Sequence, residues 1–303
     1  MIYLGYGPNN TNLDTEFKDI HINDYLKPVD LIKVNNLLLQ NIQTLENIID
    51  FNIKHDIKVY CVSDYLIPHA GFYNLEDLPD WSTIENKFYW IAHKINANNI
   101  KVMIKMSDRQ GLSYSKKKGQ TKIFNRHRCM GLIMDLLEQP QSIMSPIVIN
   151  PGYHYNYLEG SLKRAHKVAK SLGDSFYNRC VITNSLYDRG YDIKTLLELN
   201  DLFPKPIAFN YHHFRFKYPE SQEKDYFLKC LKTWEDFEMF CLYGEPTSTG
   251  QYTQLISKRI TTYPELYGNT VNIVIKSYQN ELSVFKYIRD YPFGIKEETK
   301  FSL

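Results

Sequence analysis

Eight short runs rich in Val, Ile, Phe and Tyr recur along the chain, and longer stretches with helical spacing lie between them. The runs are 2–7 (IYLGYG), 58–63 (KVYCVS), 101–106 (KVMIKM), 145–150 (SPIVIN), 179–184 (RCVITN), 206–211 (PIAFNY), 237–243 (FEMFCLY) and 271–276 (VNIVIK). They are continuously apolar rather than alternating, as strands covered on both faces are, and such strands belong to parallel sheets. Between them, Leu45, Ile48, Ile49 and Ile53 fall on one helical face, as do Phe88, Ile91 and Ile95. Leu158, Leu162, Ala165, Ala169 and Leu172 form a third such face, and Gly173 stands where a C-terminal cap is expected. Further helices are expected over 125–139, 192–203, 224–234 and 280–291, with Asp192 and Asn280 as N-caps. Eight such alternations close most simply into an α/β fold of the (β/α)8 TIM-barrel type; an open doubly wound sheet is the alternative. There is no repeat period and no long Gly/Ser- or Pro-rich linker. A single domain is expected over 1–303, with the barrel at about 2–291 and a short tail at 292–303.

Composition narrows the functional classes. Lys plus Arg number 36 against 34 Asp plus Glu, a balance of +2, which excludes a polybasic nucleic-acid or membrane binder but leaves room for a local basic face. No apolar run approaches the ~18 residues of a membrane span. The start, MIYLGYGPNN, lacks a basic region followed by an apolar one, so no signal peptide is expected. Cys61, Cys129, Cys180, Cys230 and Cys241 are scattered without a C-x-x-C, which argues against a disulfide scaffold or a Cys-type zinc site. The expected location is intracellular, with cytoplasm, nucleus and viral particle undistinguished.

Barrel chemistry sits at the C-terminal ends of the strands. Those ends carry Met106 and Ser107, Asn150, Thr183 and Asn184, Asn210 with His212 and His213, Tyr243 and Gly244, and Lys276. None of them carries Asp or Glu. A metal-dependent hydrolase needs His and carboxylate ligands there, and neutral amides are poor substitutes. The chain has no P-loop, no G-x-G-x-x-G after a strand and no G-x-S-x-G.

Five segments nevertheless line up in order with one family. NIQTLENIIDFNIKHDIKVYCVSDYLIPHAG, SPIVINPGYHYNYLEGSLKRAHK, RCVITNSLYDRGYDIKTLLELNDLFPKPIAFNYHHFRF, LKTWEDFEMFCLYGEP and VNIVIKSYQNELSVFKYI resemble successive motifs of the UV damage endonuclease (UvdE) family. The resemblance implies a TIM barrel related to endonuclease IV that nicks DNA on the 5′ side of a lesion. It also implies a cluster of Mn or Zn ions held by His, Asp, Glu and a carboxylated Lys. Carried over residue by residue, that ligand set is degenerate. Asn150 stands for a His, Thr183 and Asn184 for Glu-Asn, Asn210 for an Asp and Lys276 for a Glu. Neither the Lys nor the His of the seventh strand occurs within Glu238–Leu242, and Met106-Ser107-Asp108-Arg109-Gln110 lacks the family's His. Cys61 takes the place of an Arg, while His212 and His213 survive.

The expectation is therefore a divergent UvdE-like barrel without metal or other cofactor and with impaired catalysis. Its degenerate positions are Asn150, Asn184, Asn210, His213 and Lys276. Lys276 is expected among the three Asn, where its ammonium replaces the lost cations. His212 and His213 read either as a strand pair, one ring inward and one outward, or as pocket residues. The one basic stretch, 109–128, supplies Arg109, Gln110, Tyr114, Lys116, Lys117, Lys118 and Lys122 as candidate DNA contacts, with Arg126 and Arg128 beyond them. Duplex DNA, bound weakly and with salt dependence, is the expected partner. Two alternatives stand beside this reading. One is a structural or assembly protein using Tyr153, His154, Tyr155 and Tyr157 as partner surface; the other is an active endonuclease with rearranged ligands Asp108, His154, Asp188 and His213.

Overall fold

The computed structural model describes residues 2–14, 16–19, 29–68, 70, 72–107, 111–113, 117–154, 157–260 and 269–291. Eight parallel strands carry the fold: β1 (Ile2–Tyr6), β2 (Val59–Ser63), β3 (Lys101–Lys105), β4 (Ile147–Ile149), β5 (Cys180–Thr183), β6 (Ile207–Ala208), β7 (Met239–Tyr243) and β8 (Val271–Ile275). Helices α1 (Leu31–Lys54), α2 (Trp81–Ala97), α3 (Lys117–Leu136), α4 (Leu158–Ser171), α5 (Asp174–Tyr177), α6 (Ile193–Glu198), α7 (Tyr211–Lys217), α8 (Glu223–Lys232) and α9 (Asn280–Asp290) cover the outside. The strand order β6-β5-β4-β3-β2-β1-β8-β7 is that of a barrel. The first and last strands meet along five residue pairs, from Ile2 with Val271 to Tyr6 with Ile275.

The expected apolar faces pack as read. On α1, Val34, Leu38, Ile42, Leu45, Ile48 and Ile49 are fully buried, and Phe88, Ile91 and Ile95 do the same on α2. Leu158 is an exception: it opens α4 and stays exposed, while Leu162, Ala165 and Ala169 are buried. Gly173 follows the α4 cap with φ +96°, the left-handed position that favours glycine. Asp192 caps α6 by accepting from the Thr195 N–H, whereas Asn280 is already helical and Gln279 occupies the cap of α9.

Two corrections lie at β6. The strand has two residues, not six, and the chain turns straight into α7 because Asn210 Oδ1 accepts the His213 N–H at 3.2 Å. His212 and His213 are therefore first-turn helical residues with both rings buried, not a strand pair facing opposite ways. The short strand also leaves a seam toward β7, which is closed in two places. At the N-terminal end, Thr233 Oγ1 accepts the Ile207 N–H at 2.8 Å and Trp234 Nε1 donates to the Ile207 carbonyl at 3.0 Å. At the C-terminal end, Asn210 bridges in parallel to Leu242, with the Leu242 N–H on the Phe209 carbonyl at 3.0 Å.

Trp234 is completely buried, so removing its N–H strands the Ile207 carbonyl away from water. Trp234→Phe is expected to cost about 2 kcal/mol, the order of an unsatisfied buried acceptor. A urea unfolding midpoint lowered at unchanged slope is the signature.

Candidate functional site

The C-terminal mouth of the barrel holds a cavity of about 420 Å³. It lies against the ends of β1, β2, β3, β7 and β8 and the seam residue Asn210, with Lys105, Lys276, Cys61, Ser107 and Asp64 in its wall. Tyr65, Tyr252 and Tyr278 supply aromatic surface, and the Tyr252 ring stacks on His212 with centroids 4.1 Å apart.

Lys276 follows β8, and its ammonium donates to the Gly7 carbonyl at 3.1 Å and approaches Cys61 Sγ at 3.7 Å. It is thus turned toward β1 and β2, not among Asn150, Asn184 and Asn210 as the sequence suggested. The three amides are engaged with backbone instead. Asn150 Oδ1 accepts the Gly152 N–H at 2.9 Å, Asn184 Oδ1 accepts the Asn210 N–H at 3.0 Å, and Asn210 Oδ1 caps α7. Asn184 Nδ2 returns a bond to the Asn210 carbonyl at 3.2 Å. Because a backbone N–H must meet an oxygen, these bonds fix which way each amide points. Each oxygen is turned to its own loop. The Nδ2 groups of Asn150 and Asn210 are buried and have no hydrogen-bond partner among the described residues.

This donor set does not fit the ions that the UvdE resemblance implies. Amide N–H and ammonium groups offer protons where a divalent ion needs lone pairs. His213 is turned with Nδ1 2.7 Å from the Asn184 carbonyl. Among the described residues, no three His, Cys, Asp or Glu side chains come together to hold a metal, so His154, Asp188 and His213 form no alternative ligand set. Asp108 lies outside the described residues.

The basic stretch divides. Arg109, Gln110, Tyr114 and Lys116 lie outside the described residues, as do the side chains of Lys117, Lys118 and Lys122, although α3 itself begins at Lys117 rather than at 125. Arg128 is exposed. Arg126, by contrast, is buried: it donates to the Asp64 carbonyl at 2.7 Å, lies 3.9 Å from the carboxylates of Asp19 and Asp64, and covers the Tyr65 ring. Asp64 in turn accepts the Ser107 N–H at 3.0 Å, so α3 is anchored to the rim of the cavity. Sequence reasoning missed this anchor, along with Lys105 and Tyr252. A charged residue that ends an apolar strand was the available signal for Lys105, and Tyr252 carried none.

With the fold and the mouth in view, comparison with known proteins decides the family. The model of the family described as UV-endonuclease UvdE matches residues 3–301. The chain belongs to the UvdE family. A UV DNA damage endonuclease of Clostridium perfringens (strain 13 / Type A) is 22% identical over 296 residues, covering 94% of this chain and 69% of that protein. The crystal structure of SacUVDE superposes with a TM-score of 0.80 at 19% identity, over 96% of this chain and 98% of the other. A D-tagatose 3-epimerase-like protein shares the barrel more distantly, with a TM-score of 0.58 at 10% identity over 83% and 93% of the two chains. UvdE membership thus agrees with the barrel read from the sequence.

Next to the anchor, His127 is fully buried, with Nδ1 on the Ile123 carbonyl at 2.7 Å. Burial pushes its pKa down to about 4, helped by the Arg126 charge and opposed by the bond to Ile123. In the unfolded chain the ring titrates near ~6.5, so protonation favours unfolding. The stability that His127 contributes is complete above about pH 6.5 and is lost as pH falls toward 4, by up to ~3 kcal/mol. Urea titrations at pH 7 and 4.5 are expected to show a smaller drop for His127→Phe than for the wild type.

Proposed function

We propose that this UvdE-family barrel works without the family's metal cluster and holds damaged duplex DNA without cutting it. The observation that carries the reading is the polarity of the mouth: Asn210 presents an N–H group and Lys276 an ammonium, where hydrolysis of this type needs lone pairs. Of the degenerate positions Asn150, Asn184, Asn210, His213 and Lys276, Asn210 and Lys276 line the cavity, and all five are proposed as remnants of a former catalytic centre. Arg109, Gln110, Tyr114, Lys116, Lys117, Lys118 and Lys122 are the proposed contacts to DNA, supported by the basic character of the stretch in the sequence and by Arg126 further along α3, which bonds to Asp64 at the rim of the cavity. A near-neutral chain with one basic stretch binds modestly and with a clear salt slope. No helix among the described residues is long and apolar enough to cross a membrane, and a role on DNA implies an intracellular location.

A second reading, a partner surface for another protein, is favoured by Tyr157, Leu158 and Tyr187, which stand exposed beside one another's loops, with Tyr153 packed edge-on to Tyr187.

Protein grown with Mn²⁺ and Zn²⁺ is expected to carry far less than one equivalent of either by mass spectrometry, and to leave UV-irradiated plasmid unnicked when Mn²⁺ is added. It is expected to bind irradiated duplex with an affinity that falls as salt rises, and reversing the charge of Lys116, Lys117 and Lys118 to Glu is expected to weaken that binding about tenfold or more. Stoichiometric metal with Mn²⁺-stimulated nicking overturns the proposal. Absence of any DNA binding in a metal-free, folded protein moves the partner-surface reading to first place.

A further inference from the structure

The cavity at the mouth remains to be accounted for once metal is set aside. Its wall brings together donors from three directions around the barrel: Lys276 beyond β8, Lys105 at the end of β3, and Asn210 at the seam. Lys276 meets the Gly7 carbonyl and the Cys61 sulfur, neither of which is an anion of the kind that would neutralise an ammonium. Lys105 donates to the Met106 carbonyl at 2.6 Å. Asn210 is buried, lines the cavity, and has an Nδ2 with no partner among the described residues, a donor left over at a desolvation cost that a bound acceptor would offset. Among the described residues of the wall the carboxylate is that of Asp64, which faces the Ser107 N–H and the Arg126 guanidinium, so its charge is opposed from behind.

Donors arriving from several strands suit a tetrahedral anion with an oxygen toward each. They suit a planar carboxylate less well, since that is met by a two-pronged fork from one side. Tyr65, Tyr252 and Tyr278 line the same cavity, and Tyr252 is braced by its stack on His212. Rings and anion-binding donors in one cavity suit a ligand that joins a phosphate to an aromatic base. The volume of about 420 Å³ is that of a small-molecule site.

We infer that the mouth of this barrel is a metal-independent phosphate site, formed by Lys276, Lys105 and Asn210, that takes the phosphate of a nucleotide with its base against the tyrosines. The inference rests on the metal-free reading above and names what the site holds. The ammonium groups supply the positive charge.

Calorimetry on the full chain in EDTA, with inorganic phosphate, thymidine 5′-monophosphate and thymidine as probes, tests it. Both phosphate-bearing probes are expected to bind in competition, the nucleotide more tightly, and thymidine is expected not to bind. Lys276→Met is expected to weaken the nucleotide about tenfold or more, the loss of one charge-assisted bond, while Lys276→Arg keeps most of the affinity. Melting curves establish that both variants are folded; should Lys276→Met unfold, Asn210 remains unchanged and Lys105→Met takes its place with the same expected loss. The inference is overturned by absence of phosphate binding in EDTA, by thymidine binding as tightly as its monophosphate, or by a folded Lys→Met variant that binds as the wild type does. If EDTA-treated protein carries no metal and still binds no phosphate, the inference alone fails. If phosphate binds only after Mn²⁺ is taken up stoichiometrically, the metal-free reading fails with it.

Discussion

The seam between β6 and β7 is the constraint on which the barrel depends. A barrel leaves no free edge, so each backbone N–H and carbonyl along the seam needs a partner that the two-residue strand β6 does not supply by itself. Thr233 and Trp234 satisfy Ile207 from below, and Asn210 meets Leu242 from above. Asn210 is thereby fixed by closure, by the cap of α7 and by its exchange with Asn184 before any ligand is considered. Placement of the mouth follows from backbone satisfaction. The bidentate pair of Arg215 and Glu223, with Arg215 also donating to the Tyr243 hydroxyl at 3.0 Å, then ties α7 to α8 and β7 and holds His212 and His213 in place.

Polarity at the mouth is a second consequence of that ordering. Asn210 spends its oxygen on the His213 N–H, and what remains for the cavity is its Nδ2 donor, whereas Asn184 returns its own Nδ2 to the Asn210 carbonyl. A carboxylate at the same position has no N–H to offer and turns a lone pair toward whatever it faces. Exchanging one residue type for the other at Asn210 thus preserves the cap while reversing what the cavity sees, which is how the UvdE fold and a donor-lined mouth coexist in one chain.

The fold was legible because it rests on periodicity. Eight apolar runs gave eight strands, with most bounds within two residues, and the buried faces of α1 and α2 are those that the spacing predicts. Where local hydrogen bonding outvoted apolar character, the reading failed. Phe209, Asn210 and Tyr211 look like strand, yet an amide at Asn210 able to cap the next three residues turns the chain into α7. At the mouth, residue identities were legible and directions were not. Lys276 was seen at a strand end, but that its ammonium turns to Gly7 and Cys61 depends on β1 and β2 lying beside β8, a fact of closure. The same holds for Arg126, whose place in a basic run suggested solvent and whose actual neighbours, Asp19, Asp64 and Tyr65, come from other loops.

The donor-lined mouth has a bearing on how this lineage can change. A catalytic ion generally wants three protein ligands at once, and no single replacement supplies them. A Glu at position 276 places a carboxylate beside the Gly7 carbonyl and the Cys61 sulfur, where Lys276 now donates. A change at position 276 is thus unfavourable by itself, so the polarity of the mouth resists exchange one substitution at a time, while the exposed rim is free to vary.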